Sequence, residues 1–140
     1  MTVLIISTVA AWGMVGVIWT MQLVHYPMLA AISELLPGTA AQRHQRNVTW
    51  VVGPLMAAEG VTSLILLFDR PDTMSALAAW TAAILLGVAL LSTVLLQVPL
   101  HGRLAEGHDA DAARKLITTN WIRTVAWTAR GLVLAFALGL

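Results

Sequence analysis

Residues 73–100, TMSALAAWTAAILLGVALLSTVLLQVPL, form a run of 28 residues without a single charged side chain. A helix needs about 20 mostly apolar residues to cross a lipid bilayer. A strand of a transmembrane β-barrel would alternate in polarity and would be about half as long. The run therefore predicts a membrane-spanning helix.

Three further runs of similar length accompany this segment. Residues 2–24 carry no charge, residues 47–68 carry only Glu59, and residues 116–140 carry only two arginines. Of the 140 residues, 59% are hydrophobic and 11% are charged, whereas an ordinary soluble domain has about 25% charged residues. We therefore predict an all-α fold, a bundle of four transmembrane helices that forms one integral membrane domain over residues 1–140.

The composition also excludes several classes of function. The chain has no cysteine, which removes disulfides, thiolate zinc sites, iron–sulfur clusters and cysteine nucleophiles. A formal net charge of +1 gives no electrostatic basis for binding nucleic acid. The expected partners are instead the lipid bilayer and a small hydrophobic ligand.

The basic residues of the loops predict how the chain is oriented in the membrane. Most of them fall in the two longer connections between the predicted spans: Arg43, Arg46, Arg103, Arg114 and Lys115. The short remaining connection carries only Arg70. Because short loops rich in Lys and Arg stay in the cytoplasm, we expect the two longer loops inside the cell and both termini outside.

A short internal similarity links the two halves of the chain. The first span ends in QLVHYP, residues 22–27, and the third ends in QVPLH, residues 97–101. Both halves are expected to begin on the same side of the membrane, so a duplication would produce a parallel 2+2 repeat about an axis along the membrane normal. A chance match would explain the same short similarity.

Two charges lie deep inside the predicted spans. Glu59 lies 10 residues before Asp69, where the second span ends, and Arg130 lies 10 residues before the C-terminal residue. A charge within the bilayer is costly, so it faces the bundle interior and has a partner. Both helices run in the same direction, and we therefore predict that Glu59 and Arg130 form an ion pair. The pair either fixes the register of the helices or contributes to a binding site.

The fourth span also carries a polar stripe. Asn120, Arg123, Trp127 and Arg130 fall within about 80° of one helix face at 100° per residue. A lipid-facing helix would not carry such a stripe, so it is expected to line the bundle interior or a wet cavity. For Arg123 the alternative is a side chain that extends to the lipid phosphates.

Three of the four histidines, His25, His44 and His101, lie at helix ends on the predicted cytoplasmic side. Imidazoles that converge on one rim are candidate ligands of a metal ion or a haem. An imidazole ordinarily titrates near pH 6.5, so His101 or His25 is also a candidate general base. No HExxH or Glu-x-x-His motif accompanies them, and histidines at a lipid headgroup boundary would show the same distribution.

Together these residues outline one pocket that opens toward the cytoplasm and closes near the middle of the membrane. Cationic and neutral donors suit an oxygen-rich small molecule, and apolar walls suit a hydrophobic body. The predicted catalytic residues are His101, His25, Arg123 and Asn120. The predicted ligand-binding residues are Arg46, Glu59, Gln97, Trp127 and Arg130, with His44 completing the rim.

Residues 22–27, 49–59, 97–104 and 119–130 (TNWIRTVAWTAR) resemble a set of small bacterial four-helix membrane proteins. The layout is also distantly similar to the membrane-domain family that includes fungal anthrone oxygenases, which oxidise flat polycyclic phenols with molecular oxygen. The resemblance implies a multi-pass protein of the bacterial inner (cytoplasmic) membrane with an oxidoreductase-like activity. The site residues that it implies are His101, Asn120, Trp121 and Arg123.

Three functions from different classes fit these residues. The first is an enzyme or binding protein for a small, flat, hydrophobic molecule such as a quinone or polyphenol, with an oxygenase-like reaction as one form. The second is a haem-binding electron carrier in which His25 and His101 are axial ligands. The third is a non-catalytic membrane subunit, or a small transporter that would need to form a homo-oligomer. The cofactor is accordingly haem, non-haem iron or none.

Overall fold

A computed structural model describes residues 1–33, 35–36 and 38–140 of the chain. Within these ranges there is no strand, and four long helices make up nearly the whole structure. They are α1 (Thr2–Ile32), α2 (Thr39–Phe68), α3 (Ala76–Glu106) and α4 (Ala110–Leu138). All four are long and apolar enough to cross a membrane. The predicted all-α fold is confirmed, and the chain is a multi-pass membrane protein.

The helices alternate in direction along the bundle. We call the end with the α1–α2 and α3–α4 connections the basic end, because it carries most of the basic loop residues. The far end has both termini and the α2–α3 connection. Each helix continues past its predicted apolar span at the basic end by six to eight residues. Hydropathy marks the membrane boundary, whereas the backbone hydrogen bonds of a helix continue beyond it.

Two polar side chains determine where α3 and α4 begin. Ser75 Oγ accepts a hydrogen bond from the backbone N–H of Ala78 at 3.1 Å, so α3 begins three residues later than the apolar run. Asp109 Oδ1 accepts from the N–H of Ala112 at 2.8 Å, and this bond holds the pKa of the Asp109 carboxyl below its ordinary value. Arg103 Nε donates to the other Asp109 oxygen at 2.9 Å, which ties α3 to α4.

Each helix that ends at the basic end contains one wider turn. Residues Met21–His25 of α1 and Thr93–Gln97 of α3 form π-helical turns. Each turn ends two residues before a proline, Pro27 or Pro99. A proline has no N–H, and its ring collides with the carbonyl four residues earlier in a regular α-helix. The wider turn accommodates the proline, and such turns are frequent at functional sites.

Buried apolar side chains form three clusters, one at the far end, one in the middle and one at the basic end. Two glycines bring α1 close to its neighbours. A Cβ on Gly13 would lie 3.3 Å from Leu55 of α2, and a Cβ on Gly131 of α4 would lie 3.4 Å from Trp12 and Val15. The packing of α2 against α3 is looser than the packing of α1 against α2 and α4.

One glycine fixes the start of α2 against the end of α3. Gly38 has φ 78°, in the region that favours glycine. A Cβ at Gly38 would lie 2.7 Å from the carbonyl oxygen of Ala105. Gln42 Nε2 donates to the same oxygen at 2.9 Å. The basic end of the α2–α3 seam is therefore held by backbone contact.

Candidate functional site

Arg130 is a fully buried charge in the interior of the bundle. Its Nε donates to Glu59 Oε1 at 2.9 Å, which confirms the predicted ion pair. Nη1 donates to Ser63 Oγ at 3.1 Å and to the carbonyl oxygen of Ala82 at 2.7 Å. Nη2 donates to Ser7 Oγ at 3.0 Å. One guanidinium thus joins all four helices.

The carboxylate of Glu59 has a second partner. Trp127 Nε1 donates to Glu59 Oε2 at 2.8 Å, and both residues are fully buried. Both carboxylate oxygens and all three guanidinium nitrogens of Arg130 are therefore bonded within the described residues. Neither the cavity nor the groove described below is lined by these three residues. A saturated network of this kind holds helices in register.

Nearer the basic end, three imidazole rings lie against one another. The ring centroids of His25 and His44 are 4.3 Å apart, and those of His44 and His101 are 5.2 Å apart with an interplanar angle of 20°. Tyr26 completes the cluster, with its ring centroid 5.5 Å from that of His101. The structure therefore brings together the three histidines that the sequence places on one rim.

The hydrogen bond of His101 determines which ring nitrogen is free. Nδ1 lies 2.7 Å from the backbone carbonyl oxygen of Gln97. A carbonyl oxygen only accepts, so we assign the proton to Nδ1 and the lone pair to Nε2. This Nε2 is buried and has no partner among the described residues. His101 thus presents a buried acceptor that can serve as a base.

A cavity of about 240 Å³ lies in the looser seam between α2 and α3, with α1 and α4 contributing the remaining wall. Its apolar lining is Val17, Met21, Val48, Val52, Met56 and Val98. Its polar lining is Tyr26, His44, Gln45, Thr49, Thr93, Gln97, His101 and Arg123. Thr49 and Val98 are exposed, so the cavity opens on the side of the bundle, between α2 and α3.

Three residues of this wall each have a buried polar atom without a hydrogen-bond partner within the described part of the chain: Gln97 Oε1, His101 Nε2 and Arg123 Nε. Most buried polar groups are paired, because an unpaired one costs about 1–3 kcal/mol. The Gln97 amide nitrogen donates to Thr119 Oγ1 at 2.8 Å, which leaves the amide oxygen as the acceptor. The lining residues therefore carry two acceptors and one cationic donor that no other described residue satisfies.

Arg123 supplies the formal charge of this cavity. Its side chain is only 6% exposed, which is inconsistent with the alternative in which it extends to the lipid phosphates. Its guanidinium carbon lies 5.4 Å from the centroid of the Trp127 ring, in a cation–π contact. The guanidinium also adjoins the Tyr26 hydroxyl. Among the described residues no carboxylate forms an ion pair with it.

Asn120 is fully buried but lies beside the cavity and does not form part of its wall. Its Nδ2 donates to Gln22 Oε1 at 2.8 Å, and Gln22 Nε2 donates to the carbonyl oxygen of Ile117 at 3.1 Å. These two bonds join α1 to α4 at the level of the histidines. Asn120 is thus placed to position the helices that carry the site.

Three other predicted residues lie outside the cavity. Arg46 is exposed and lines neither the cavity nor the groove. Trp121 is 43% exposed, and its ring packs edge-on against Trp19 on the surface at 5.6 Å. His25 lines a separate groove between α1 and α2. The resemblance-based set is therefore divided, because His101 and Arg123 line the cavity whereas Trp121 does not.

The arrangement of the three rings does not suit a metal ion shared by the three histidines. Among the described residues, no group of three or more His, Cys, Asp or Glu is placed to hold a metal ion. The lone pair of an imidazole lies in the ring plane, so ligands of one ion direct their planes at one point. The planes of His44 and His101 are instead nearly parallel and offset. Axial haem ligands face each other across the macrocycle, whereas His44 lies against both His25 and His101, tilted to the first ring and stacked on the second.

Comparisons with protein-family models, with curated proteins and with solved structures find no match to this chain. The functional assignment therefore depends on the geometry of the cavity and on the chemistry of its wall.

Some cavity residues carried no distinguishing pattern in the sequence. Gln45, Thr49 and Thr93 line the cavity, but single Gln and Thr residues near helix ends are common and do not by themselves indicate a site. Ser7 and Ser63 bond Arg130, and serines within apolar spans are equally ordinary. Pro27 and Pro99 each follow a π-helical turn, whereas Pro54 lies within α2 without one.

Proposed function

We propose that the protein binds a small phenol or quinol in the cavity between α2 and α3 and takes a proton from it. The observation that carries the proposal is that three residues lining one cavity each have a buried polar atom without a partner among the described residues: Gln97 Oε1, His101 Nε2 and Arg123 Nε. An aromatic diol matches this set. Its two hydroxyl groups donate to Gln97 and His101, and a hydroxyl oxygen accepts from Arg123.

The size of the cavity supports a ligand with one ring. An engineered apolar cavity of about 150 Å³ binds benzene, and the cavity here measures about 240 Å³. One ring with several substituents fits this space better than the three fused rings of an anthrone. The lateral opening between Thr49 and Val98 supports entry of the ligand from the bilayer, where an apolar phenol or quinol concentrates.

The proton transfer follows from the assigned tautomer of His101. The phenolic O–H bond breaks, its electron pair stays on the oxygen, and the proton passes to Nε2, while Nδ1–H keeps its bond to the Gln97 carbonyl. The resulting phenolate faces the Arg123 guanidinium, which stabilises the negative charge in a site of low dielectric. The same proton transfer would begin the oxygenase-like reaction that the resemblance implies, with molecular oxygen as the oxidant.

The proposal includes the membrane setting. The basic end faces the cytoplasm of a bacterial inner membrane and both termini lie outside, because five of the six basic loop residues are at the basic end. A parallel 2+2 repeat is supported by the two π turns, which occupy the same position relative to Pro27 and Pro99 in the two helices that run to the basic end.

The geometry favours the two alternative functions less. The ring of His44 contacts those of both His25 and His101, which opposes a haem between the last two. A transporter needs a route along the bundle, whereas the Arg130 network joins all four helices across the interior. A non-catalytic subunit gives no reason for unpaired polar atoms at a cavity.

The test uses 4-nitrophenol, a one-ring phenol whose ionised form absorbs visible light. The purified protein in lipid nanodiscs is titrated at a pH at which the free phenol is protonated. We expect saturable binding, together with the absorption band of the phenolate. The variants His101→Ala and Arg123→Gln should each lower the affinity at least tenfold, because each removes one charge-assisted contact of about 1.5–3 kcal/mol.

Matched controls separate this effect from a general change in charge. Arg46→Gln and His108→Ala change exposed residues of the same types at the basic end, and both variants should bind like the wild type. Absence of saturable binding above that of empty nanodiscs, or equal binding by the His101 and wild-type proteins, would contradict the proposal. Binding without the phenolate band would disprove the proton transfer.

A further inference from the structure

A second concave surface lies on the outside of the bundle, between α1 and α2. It is a groove of about 790 Å³ that runs from Trp12 in the middle of α1 to Ile32 at its end. On α1 its floor includes Gly13 and Gly16, and at Gly16 an added Cβ would meet nothing within 4 Å. The missing side chain thus makes this surface concave within the membrane-spanning part of the helix.

The polarity of the groove changes along its length. Its deeper half is lined by small and apolar residues such as Gly16, Val17 and Val51. The half nearer the basic end contains Arg43 and Asn47, both of which are exposed. Among the described residues of the lining, Arg43 is the one Lys or Arg, and there is no Asp or Glu. No ion pair of Arg43 occurs within the described residues.

The length of the groove corresponds to one leaflet. Between Gly13 and His25, both in the lining, α1 rises by about 18 Å at 1.5 Å per residue. Half of the hydrocarbon core of a bilayer is about 15 Å thick. A single acyl chain can therefore lie in the groove along α1 while its headgroup is at the level of Arg43.

From this gradient we infer that the groove binds one anionic phospholipid of the surrounding membrane. One acyl chain lies over Gly16 and Val17, and the phosphate group accepts hydrogen bonds from Arg43 and Asn47. A guanidinium that has no ion pair among the described residues is suited to a phosphate oxygen. A zwitterionic lipid fills the groove with the same chain, but the net negative charge of the headgroup gives the anionic lipid the higher affinity.

The lipid site is separate from the phenol cavity but shares one wall with it. Val17, Met21, His44 and Val48 line both the groove and the cavity. Arg43 lines only the groove, and Arg123 lines only the cavity. Failure of one proposal therefore leaves the other intact, and a variant at Arg43 should bind 4-nitrophenol normally.

Native mass spectrometry of the detergent-solubilised protein tests the inference. The protein is mixed with phosphatidylglycerol or with phosphatidylcholine of the same acyl chains, and adducts with one lipid are quantified. We expect phosphatidylglycerol to bind several-fold more tightly. Arg43→Gln should lower this preference about fivefold, since one arginine near an anionic headgroup contributes about 1 kcal/mol. Arg46 lies outside the groove, so Arg46→Gln should leave the preference for phosphatidylglycerol unchanged.

A second pair of variants tests the acyl chain. Gly16→Leu fills the groove and should weaken the binding of both lipids. Gly60 lies outside the groove, and an added Cβ there also meets nothing within 4 Å. Gly60→Leu should therefore weaken the binding of neither lipid. Equal losses in the Arg43 and Arg46 variants would overturn the inference in favour of general surface charge. Equal binding of the two lipids would overturn it as well, and so would a dimer in which a second copy covers the groove.

Discussion

Two arginines of the same helix show how differently the two halves of the bundle use buried charge. Arg130 has a protein partner for each of its three nitrogens. Arg123, seven residues earlier in α4, is almost as buried, but its Nε has no partner among the described residues. Burial alone therefore does not distinguish a structural charge from a binding site. In this pair the difference lies in their hydrogen bonds and in the cavity that Arg123 lines and Arg130 does not.

The surroundings of the two arginines follow the same division. Around Arg130, small polar groups of Ser7 and Ser63 point at the guanidinium and close the interior. Around Arg123 there are an aromatic ring, a phenol and a cavity. The far half is thus expected to determine stability, and the half nearer the basic end to determine ligand binding.

The largest expected effect comes from separating the deep ion pair. Glu59→Gln leaves the Arg130 guanidinium buried without a counter-charge, so the free energy of unfolding should fall by about 3–5 kcal/mol. Unfolding in detergent, followed by circular dichroism, measures the loss. A decrease below 1 kcal/mol would mean that the pair does not stabilise the bundle.

A double replacement determines whether charge itself is needed at this depth. Replacing both Glu59 and Arg130 by Met keeps the volume approximately and removes both charges. Replacement of a buried pair by apolar residues is often neutral or stabilising, so the double variant should be more stable than Glu59→Gln. Nitrophenol binding should persist in the folded double variant, because the cavity is lined by other residues.

Trp127 connects the two halves and gives the next largest effect. Its indole N–H bonds Glu59, and its ring lies beside the Arg123 guanidinium. Trp127→Phe removes the N–H but keeps an aromatic ring. We expect the free energy of unfolding to fall by about 1.5–3 kcal/mol, the value of a hydrogen bond to a charged group. Ligand affinity should change less than in Arg123→Gln; a larger loss of affinity would show that the two halves are not separable.

The sequence predicted the features that depend on composition and depth. Four apolar runs were sufficient for the four helices, and equal distances from the span ends were sufficient for the pairing of Glu59 with Arg130. The sequence did not reveal which stripe residues face the cavity, because a helical wheel gives direction but not the distance to the next helix. Asn120 illustrates this, since it shares the face of Arg123 but bonds Gln22 beside the cavity.

Two serines offer a matched comparison between a satisfied and an unsatisfied hydroxyl. Ser63 accepts from Arg130 at 3.1 Å, whereas Ser92 Oγ is buried without a partner among the described residues. Ser63→Ala should lower the free energy of unfolding by about 1 kcal/mol. Ser92→Ala removes an unpaired polar atom and should leave the stability unchanged or raise it. Equal losses of unfolding free energy in the two variants would show that the hydrogen bond of Ser63 does not distinguish its contribution to stability from that of Ser92.

The smallest expected effect concerns a carboxylate outside the membrane. Asp109 accepts a hydrogen bond at the start of α4, and Glu59 accepts one from Trp127 in the middle of the same helix. Unlike Glu59, Asp109 is accessible to solvent. The Ala112 N–H lowers the pKa of Asp109 from its ordinary value of 3.8, so the ionised form stabilises the folded state above that pH. This contribution is lost as the pH falls through the lowered pKa.

Asp109→Asn keeps an amide oxygen for the cap but removes the charge that interacts with Arg103. The melting temperature of the variant should therefore be slightly below that of the wild type at pH 7. The difference should narrow as the pH falls below 3.8, because the wild-type carboxyl then becomes neutral as well. A difference that stays constant or widens in acid would show that the ionised carboxylate does not stabilise α4. The charge of Asp109 would then be irrelevant to the fold, in contrast to that of Glu59.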